Sequence, residues 1–447
     1  MVIDWLLDIF RNQGSNTAIV HSESEFSYAW LIEQVTQWQS RLDDQDVGRG
    51  QVVALTGDYS PYSVALLLAL IDRHNIVVPI TSVKAGEKQR FIEIAEVQAI
   101  INLDDFGNWD VVARPDTTQH PLIQKLQRDG EPGLIVFSSG STGESKAALH
   151  SFTRLLEKFK KPRHKQRILV FLLLDHLGGI NTLFYTLANG GTVVVPMQRT
   201  PEEICRSIDR HHVEVLPTSP TFLNLLLLSE AYRSFDLSSL KLITYGTEAM
   251  PESTLQRVSV TFPNVQLLQT YGLTELGVLR SKSRASDSLW MKVGGEEFET
   301  KVVNETLFIR AQSAMLGYLN APSPLDEEGW MNTGDKVVID GEWLRILGRE
   351  SEIINVGGQK VFPAEVESVL QMMDDVDDAV VSAEPNPITG QMVTARVKLR
   401  SNESVADFRK RMRLFCKDRL SNYMIPQKVV LVEEVRYGER FKKLRLQ

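Results

Sequence analysis

A turn rich in hydroxyl groups and glycine could hold the phosphates of a nucleotide. It covers residues 137–146, with the sequence FSSGSTGESK, and it follows an apolar run typical of a buried strand. Glycines let the backbone curl so that successive N–H groups point into one concavity, and hydroxyls add further donors. The lysine at its end supplies a point charge for a polyphosphate. Because Glu144 and Ser145 separate Gly143 from Lys146, the spacing is not that of Walker A. The turn therefore predicts a nucleotide loop of another type.

Three further motifs carry groups that suit a nucleotide. They are YGLTE at 271–275, NTGD at 332–335 and GRESEIINVGGQKVFPAEVE at 348–367. Glu275 is a hard oxygen ligand of the kind that magnesium prefers. Asp335 ends a turn after a strand-like segment, where its carboxylate could accept both hydroxyls of a ribose.

These four motifs, in this order, resemble those of the adenylate-forming superfamily. Its members include acyl- and aryl-CoA synthetases, firefly luciferase and the adenylation domains of peptide synthetases. The resemblance runs from about the first motif to the C-terminus, with a weaker match before it. It implies two half-reactions, in which a carboxylate first attacks the α-phosphate of ATP and a nucleophile then takes the acyl group from AMP. The implied co-substrate is ATP, the implied metal is Mg²⁺, and the implied acceptor is CoA or a carrier protein's phosphopantetheine.

The resemblance assigns the nucleotide-binding residues position by position. Lys146 and the loop before it grip the β- and γ-phosphates, Thr274 donates to the α-phosphate, and Glu275 holds magnesium. Asp335 and Arg349 bind the ribose. The other assigned residues are Ser138, Ser139, Gly140, Ser141, Thr142 and Gly143 of the loop, Gly246, Thr247 and Glu248 beside adenine and the acyl pocket, and Tyr271 and Gly272, where the family stacks a ring on adenine.

The basic tail is implied to carry the catalytic lysine. The family has a lysine there, followed after two residues by an arginine that Arg445 matches in this chain. The match puts Lys442 on the lysine that polarises the α-phosphate and the carboxylate, although Phe441 replaces the usual preceding glycine. Lys443 is the competing candidate.

The residues after an apolar run at 168–174 resemble the edge of the acid pocket. His176 is the candidate for closing that pocket in an acyl-CoA synthetase, and Gly178 leaves room for the acyl group. Asp175 supports a different hypothesis, because amino-acid adenylation domains use an Asp here to pair the substrate's ammonium group. The sequence departs from both patterns, so both stay open.

The elements that must position these residues are predicted from periodicity. Between residues 133 and 268, strand-like runs such as 168–174 and 192–195 alternate with helical spacings such as 201–211, which predicts α/β structure with parallel sheets. Short strands from residue 293 predict a small β unit. The last 98 residues, with a long helix at 404–420, predict a small α+β domain. The fold class is thus a large N-terminal domain, 1–349, of packed sheets with covering helices plus the β unit, and a small α+β C-terminal domain, 350–447. The resemblance implies the same division, with the C-terminal domain acting as a mobile lid, and it puts the hinge at Ser351.

Composition limits the alternatives. A net charge of −8 argues against nucleic acid as a partner, and the two cysteines predict neither disulfides nor a zinc site. The apolar runs are shorter than the roughly 20 residues of a membrane span, and we expect a cytoplasmic location. The predicted function is ATP-dependent activation of a carboxylic acid, foremost by an acyl-CoA synthetase. The alternative is a stand-alone adenylation enzyme that loads an amino, hydroxy or aryl acid onto a carrier protein. Retention of the reacting charges argues against a module that only binds nucleotide.

Overall fold

A computed structural model of the chain describes residues 2–81, 85–114, 117–139, 144–435, 437–438 and 443. Many of its helices begin directly after a serine or threonine whose hydroxyl accepts an N–H of the first turn. The described α-helices are α1 Asp4–Gln13, α2 Tyr28–Asp44, α3 Pro61–Asp72, α4 Ala85–Ile94, α5 Pro121–Arg128, α6 Phe152–Glu157, α7 Leu177–Ala188, α8 Pro201–His211, α9 Pro220–Ser229, α10 Glu252–Thr261, α11 Pro363–Gln371 and α12 Val405–Cys416.

The strands fall into an N-terminal and a C-terminal set. The first set is β1 Thr17–His21, β2 Ser24–Ser27, β3 Val52–Thr56, β4 Ile76–Ile80, β5 Ala99–Leu103, β6 Trp109–Ala113, β7 Gly133–Ser139, β8 Ser145–Ser151, β9 Arg167–Leu169, β10 Thr192–Val195, β11 Val215–Thr218, β12 Leu242–Tyr245 and β13 Gln266–Gln269. The second set is β14 Tyr271–Leu273, β15 Gly277–Ser283, β16 Met291–Gly294, β17 Phe298–Val303, β18 Thr306–Ala311, β19 Gly317–Tyr318, β20 Met331–Asp340, β21 Trp343–Arg349, β22 Ile354–Val356, β23 Gln359–Val361, β24 Val376–Asn386, β25 Gly390–Leu399 and β26 Lys428–Leu431.

These strands form four sheets. The first has the order β13-β12-β11-β9-β10-β1-β2 and is parallel apart from β2, and the second has the order β19-β8-β7-β4-β3-β5-β6. The third, β14-β15-β16-β21-β20-β18-β17, is antiparallel throughout. The fourth, β23-β22-β25-β24 with β26 beside β25, belongs to the C-terminal region.

The two large sheets share one apolar core. Helix α3 is apolar almost all round and nearly every one of its residues is buried, which is expected of a helix enclosed on all sides. It packs in the same cluster as α7, as Leu55 of β3 and as Val193 of β10. The C-terminal sheet has a separate core with α11 and α12. This shared core fixes the positions of the strands in the N-terminal sheets, and with them the positions of the sequence motifs that follow the strands.

The predicted fold class is confirmed, and the strand 192–195 and the helix 201–211 have the predicted bounds. Two bounds were wrong. The strand predicted at 168–174 ends at Leu169, and the segment that follows is irregular although Leu174 in it is buried. The prediction was too long because periodicity does not distinguish a buried loop from a buried strand. The helix predicted at 404–420 ends at Cys416, whose carbonyl accepts the N–H groups of both Arg419 and Leu420 in a tighter final turn.

The division between residues 349 and 350 stays a prediction. It coincides with the end of β21, after which a one-turn 3₁₀ helix, Glu350–Glu352, leads to the C-terminal sheet. Within the described residues, no helix is both long and apolar enough to cross a bilayer.

Candidate active site

A cavity of about 420 Å³ opens where the motifs meet, at the carboxyl ends of the parallel strands β11, β12 and β13. Crevices at this edge are the usual ligand sites of α/β sheets. The cavity brings together many of the residues predicted from sequence. They are Ser138, Lys146, His176, Gly178, Gly246, Thr247, Gly272, Thr274, Glu275 and Arg349.

The backbone at Gly246 and Thr247 is shaped for close approach. A Cβ at Gly246 would lie 2.6 Å from Oγ1 and 2.8 Å from the carbonyl of Thr270, so only glycine fits there without a shift. Thr247 has a φ of 74°, which is unusual for a β-branched residue and indicates a strained conformation of the kind found at functional sites. Its buried hydroxyl has no hydrogen-bond partner among the described residues. A strained backbone with an unsatisfied hydroxyl beside a cavity fits a bound polar ligand.

Thr274 and Glu275 lie in a turn that three long-range hydrogen bonds fix. The His150 Nε2–H donates to the Thr274 carbonyl at 2.7 Å, and the Met315 N–H donates to the Glu275 carbonyl at 2.8 Å. The Ser313 hydroxyl donates to the Leu276 carbonyl at 2.7 Å. The side chains of Thr274 and Glu275 are thus presented to the cavity from a rigid backbone.

His150 was missed by the sequence reasoning. Its ring is fully buried, and burial lowers its pKa to about 4 despite the bond to Thr274. The ring is therefore neutral at pH 7, with its proton on Nε2, where the Thr274 carbonyl accepts it. No local pattern around a single histidine in a strand could have indicated this partner, which lies 124 positions further along the chain.

Tyr318 contacts the charged side chains of both Lys146 and Glu275, and the sequence reasoning missed it as well. Its hydroxyl donates a hydrogen bond to Glu275 Oε1, and the Lys146 ammonium lies 5.4 Å from the centroid of its ring. Burial and the Glu275 carboxylate raise the pKa of Tyr318, so that it stays a donor. One tyrosine side chain therefore contacts both a cation and a carboxylate of the cavity lining.

Asn320 fixes the hairpin that carries Lys146. Its Oδ1 accepts the Ala147 N–H at 2.9 Å and its Nδ2 donates to the Ser145 carbonyl at 2.9 Å. Ser138 pairs with Lys146 in the β7–β8 ladder. The two ends of the predicted phosphate loop are therefore anchored. Its residues Gly140, Ser141, Thr142 and Gly143, and the side chain of Ser139, lie outside the described residues.

The predicted ribose pair lies on neighbouring strands. Asp335 of β20 is directly opposite Arg349 of β21 in the ladder, and the Arg349 Nε is 3.5 Å from the Asp335 Oδ1. The Tyr271 hydroxyl donates to Asp335 Oδ2, and burial followed by the Asp335 charge raises the pKa of Tyr271. Tyr271 and Asp335 are buried behind the cavity lining, to which Arg349 contributes. The contacts of Tyr271 support a role in holding Asp335, and adenine stacking stays a prediction.

Lys443 is enclosed in the C-terminal region. Its Nζ lies 2.9 Å from Asp378 Oδ1, 2.8 Å from the Ala379 carbonyl and 3.7 Å from Glu367 Oε2, and all three charged side chains are at most 5% exposed. Burial opposes ionisation of Asp378, but the Lys443 charge and the hydrogen bonds from Tyr437, Lys443 and Gln371 outweigh it and lower its pKa. The Lys443 N–H also donates to Glu248 Oε2 at 3.5 Å. The rival candidate, Lys442, lies outside the described residues.

The three residues predicted at the acid pocket have different surroundings. His176 caps α7 by accepting the Gly178 N–H on its Nδ1 at 3.0 Å, and both residues line the cavity. Asp175 is buried away from the lining, where its Oδ2 accepts the Thr81 hydroxyl at 2.8 Å. The helix can begin here because residue 179 is a glycine. A Cβ at this position would lie only 2.1 Å from the Leu173 carbonyl. His176 therefore faces the ligand space, and Asp175 supports the loop beneath it.

Among the described residues that line this cavity, Glu275 is the one with a carboxylate. Among the described residues, no group of three or more His, Cys, Asp or Glu side chains could hold a metal ion. A single carboxylate fits Mg²⁺, which is usually bound by one or two carboxylates together with substrate phosphates. The cavity thus combines the Lys146 ammonium, the Thr274 hydroxyl and the Glu275 carboxylate with apolar lining residues such as Ile168, Val215 and Leu242.

An arrangement of this kind, at the edge of a parallel sheet and followed by a small α+β region, defines a class of nucleotide-dependent ligases. The family model of AMP-binding enzymes matches residues 8–318, and that of the AMP-binding enzyme C-terminal domain matches residues 365–439. The chain belongs to the AMP-binding enzymes, which are the adenylate-forming superfamily, and this sequence prediction is confirmed.

Curated relatives match nearly the whole chain. The indoleacetate–CoA ligase of Aromatoleum aromaticum is 27% identical, over 95% of this chain and 92% of the relative. The 2-succinylbenzoate–CoA ligase of Bacillus pumilus is 24% identical, over 97% and 94%. Among solved structures, the anthranilate CoA ligase AuaEII in complex with anthranoyl-AMP superposes with a TM-score of 0.84 at 20% identity, over 98% of this chain and 95% of that one.

Proposed function

We propose that this protein is an ATP-dependent acid–CoA ligase that forms an acyl-adenylate and then an acyl-CoA thioester. The observation that carries the proposal is that one cavity is lined both by Lys146, Thr274 and Glu275 and by apolar residues that include Ile168, Val215 and Leu242. Such a cavity can hold ATP and a carboxylic acid in contact. Membership of the AMP-binding enzymes and the CoA ligases among the relatives support the same reaction.

In the first half-reaction, a carboxylate oxygen of the acid attacks the α-phosphorus of ATP and pyrophosphate leaves. Charge develops on the phosphate oxygens, and fixed cationic and donor groups stabilise it. Lys146 suits the β- and γ-phosphates, and the Thr274 hydroxyl suits the α-phosphate. Mg²⁺, held by Glu275 and phosphate oxygens, would neutralise further charge. We assign Lys442 to the α-phosphate and the attacking carboxylate. The enclosure of the Lys443 amine by Asp378 and Glu367 supports this choice over its neighbour.

In the second half-reaction, the thiol sulfur attacks the acyl carbonyl carbon and AMP leaves. CoA is the proposed thiol because the relatives named above are CoA ligases. A carrier protein's phosphopantetheine presents the same thiol and is the alternative acceptor. A lid rotation at Ser351 between the two steps is part of the proposal, since the exposed 3₁₀ turn Glu350–Glu352 is the short link between β21 and the C-terminal sheet.

The proposed substrate is a simple carboxylic acid that bears a ring. Against an amino acid stands the position of Asp175, which bonds to Thr81 and does not line the cavity. On the side of α7, the cavity is bounded by strands β9, β11 and β12, from which Ile168, Val215 and Leu242 contribute apolar side chains. The relatives are named for indoleacetate and 2-succinylbenzoate, both of which carry aromatic rings.

The test is pyrophosphate release across a panel of aryl, fatty and amino acids, each with CoA or with a phosphopantetheine-loaded carrier protein. We expect acid-dependent release, and acyl-CoA only when CoA is present. Glu275→Gln, which removes the metal's carboxylate, should lower the rate by about a hundredfold or more, whereas Glu328→Gln, at an exposed loop far along the chain, should not change it. Release that requires an amino acid, or transfer only to the carrier protein, would support the alternative enzyme instead.

A further inference from the structure

The amine of Lys158 is held directly behind the wall of the acyl channel. Its Nζ donates to Asn181 Oδ1 at 2.6 Å and to the Val278 carbonyl at 2.9 Å. Burial lowers the pKa of Lys158 to about 8, while the nearby Glu297 carboxylate raises it and Arg280 lowers it. Asn181 and Val278 both line the cavity, whereas Lys158 is outside the lining. One ammonium group therefore joins the helix and the strand that form this wall.

This contact fixes which way the Asn181 amide faces. A lysine ammonium has only donors, so the atom it meets must be the amide oxygen and not the nitrogen. The two Nδ2–H donors of Asn181 are then left on the side of the ligand space. They have no hydrogen-bond partner in the part of the chain that the structure describes, although the residue is half-buried. Because Asn181 lines the cavity, this donor pair can meet an acceptor on a bound acid.

The position of Asn181 along the channel follows from helix geometry. It lies five residues beyond His176, so at about 1.5 Å per residue its Cα is roughly 7.5 Å deeper along α7. Thr182 and Tyr185 continue the same lined face of the helix beyond it. Asn181 is therefore level with the middle of an acyl group whose carboxylate lies beside His176, and not with its reacting end.

We propose that Asn181 is a specificity-determining residue, which donates a hydrogen bond to an oxygen acceptor on the ring or chain of the acid, and that Lys158 is the positioning residue that keeps the amide in the donating orientation. The inference rests on the proposed function and narrows its substrate to acids with an acceptor about one ring's length from the carboxylate. It differs from a purely structural role of Lys158, because it predicts discrimination between acids of equal shape.

The test compares two acids of nearly equal shape, 4-methoxyphenylacetate and 4-ethylphenylacetate, of which only the first carries an acceptor at this depth. The readout is the ratio of their kcat/KM values for pyrophosphate release by the wild type. An ordinary hydrogen bond predicts about a tenfold preference for the methoxy acid. A ratio near one would overturn the proposal. So would failure of both acids while other acids of the panel are activated.

Variants then separate donation from packing. Asn181→Asp keeps the shape and the contact with Lys158 but removes the donors, so the ratio should fall to one or below. Asn181→Leu should reverse it, and Lys158→Met, which frees the amide to turn, should reduce it by severalfold. Thermal unfolding identifies any variant that does not fold, and the variants that do fold still test whether Asn181 donates a hydrogen bond to the acid. An unchanged ratio in folded Asn181→Asp or Asn181→Leu contradicts the proposal. Absence of release with every acid contradicts the proposed function instead.

Discussion

Replacing Lys443 by methionine should destabilise the C-terminal sheet while removing no group that we assign to catalysis. Lys443 compensates two carboxylates, Asp378 and Glu367, that are 2% and 1% exposed. Methionine fills a similar volume but leaves this negative charge buried and without its cation. The matched control is Lys442→Met, which removes the neighbouring lysine. That variant should lose ATP–pyrophosphate exchange and keep both its stability and thioester formation from a supplied acyl-adenylate.

The size of the effect follows from the burial of the pair. Removing one partner of a buried ion pair costs about 3–5 kcal/mol. A whole domain is stable by only about 5–15 kcal/mol, so the C-terminal sheet should open far more often. At about 1.4 kcal/mol for each factor of ten, hydrogen exchange in β24 and β25 should accelerate by roughly a hundredfold to a few thousandfold. Adding Asp378→Asn to Lys443→Met should recover much of the protection, because it removes the stranded charge.

Hydrogen–deuterium exchange with peptide resolution measures this directly, with β3 and β4 of the N-terminal domain as internal references. The reasoning would be refuted by Lys443→Met with wild-type protection in β24 and β25. The assignment of the tail would be reversed if Lys443→Met lost ATP–pyrophosphate exchange while staying fully protected and Lys442→Met exchanged normally.

Three further outcomes are expected. The pKa of His150 is lowered by burial from 6.5 to about 4. Its contribution to the free energy of unfolding is therefore complete above pH 6.5 and is lost as the pH falls towards 4, by about 3 kcal/mol in all. In His150→Gln the free energy of unfolding in urea should depend less on pH over this range, and an undiminished pH dependence would contradict the reasoning. Ser351→Pro should spare adenylate formation and slow thioester formation, because proline fixes φ at a hinge; equal loss of both steps, measured separately, would disprove the hinge. His176→Ala should weaken use of a simple acid at least tenfold in kcat/KM while Asp175→Asn changes it little, and an amino-acid-dependent exchange that Asp175→Asn abolishes would reverse this order.

The sequence identified the superfamily because its motifs are local. Within a few residues, the hydroxyl-rich turn, the YGLTE segment and the NTGD turn each combine a particular backbone shape with a particular set of side chains. Their order along the chain is a further feature that the superfamily shares. The parallel sheets were also predictable, since alternating strands and helices leave few other arrangements. The reaction class could therefore be predicted before any contact between distant residues was known.

What the tertiary structure decided is which distant groups meet. Tyr318 joins Lys146 to Glu275, His150 holds the turn at Thr274, and Lys158 orients Asn181. None of these pairs has a spacing that a local pattern encodes, because each is produced by packing between separate elements. The same holds for the two adjacent lysines of the tail, which sequence can weigh only by alignment. Burial beside Asp378 and Glu367 gives Lys443 a structural partner, and burial is a property of the folded chain and not of any segment of it.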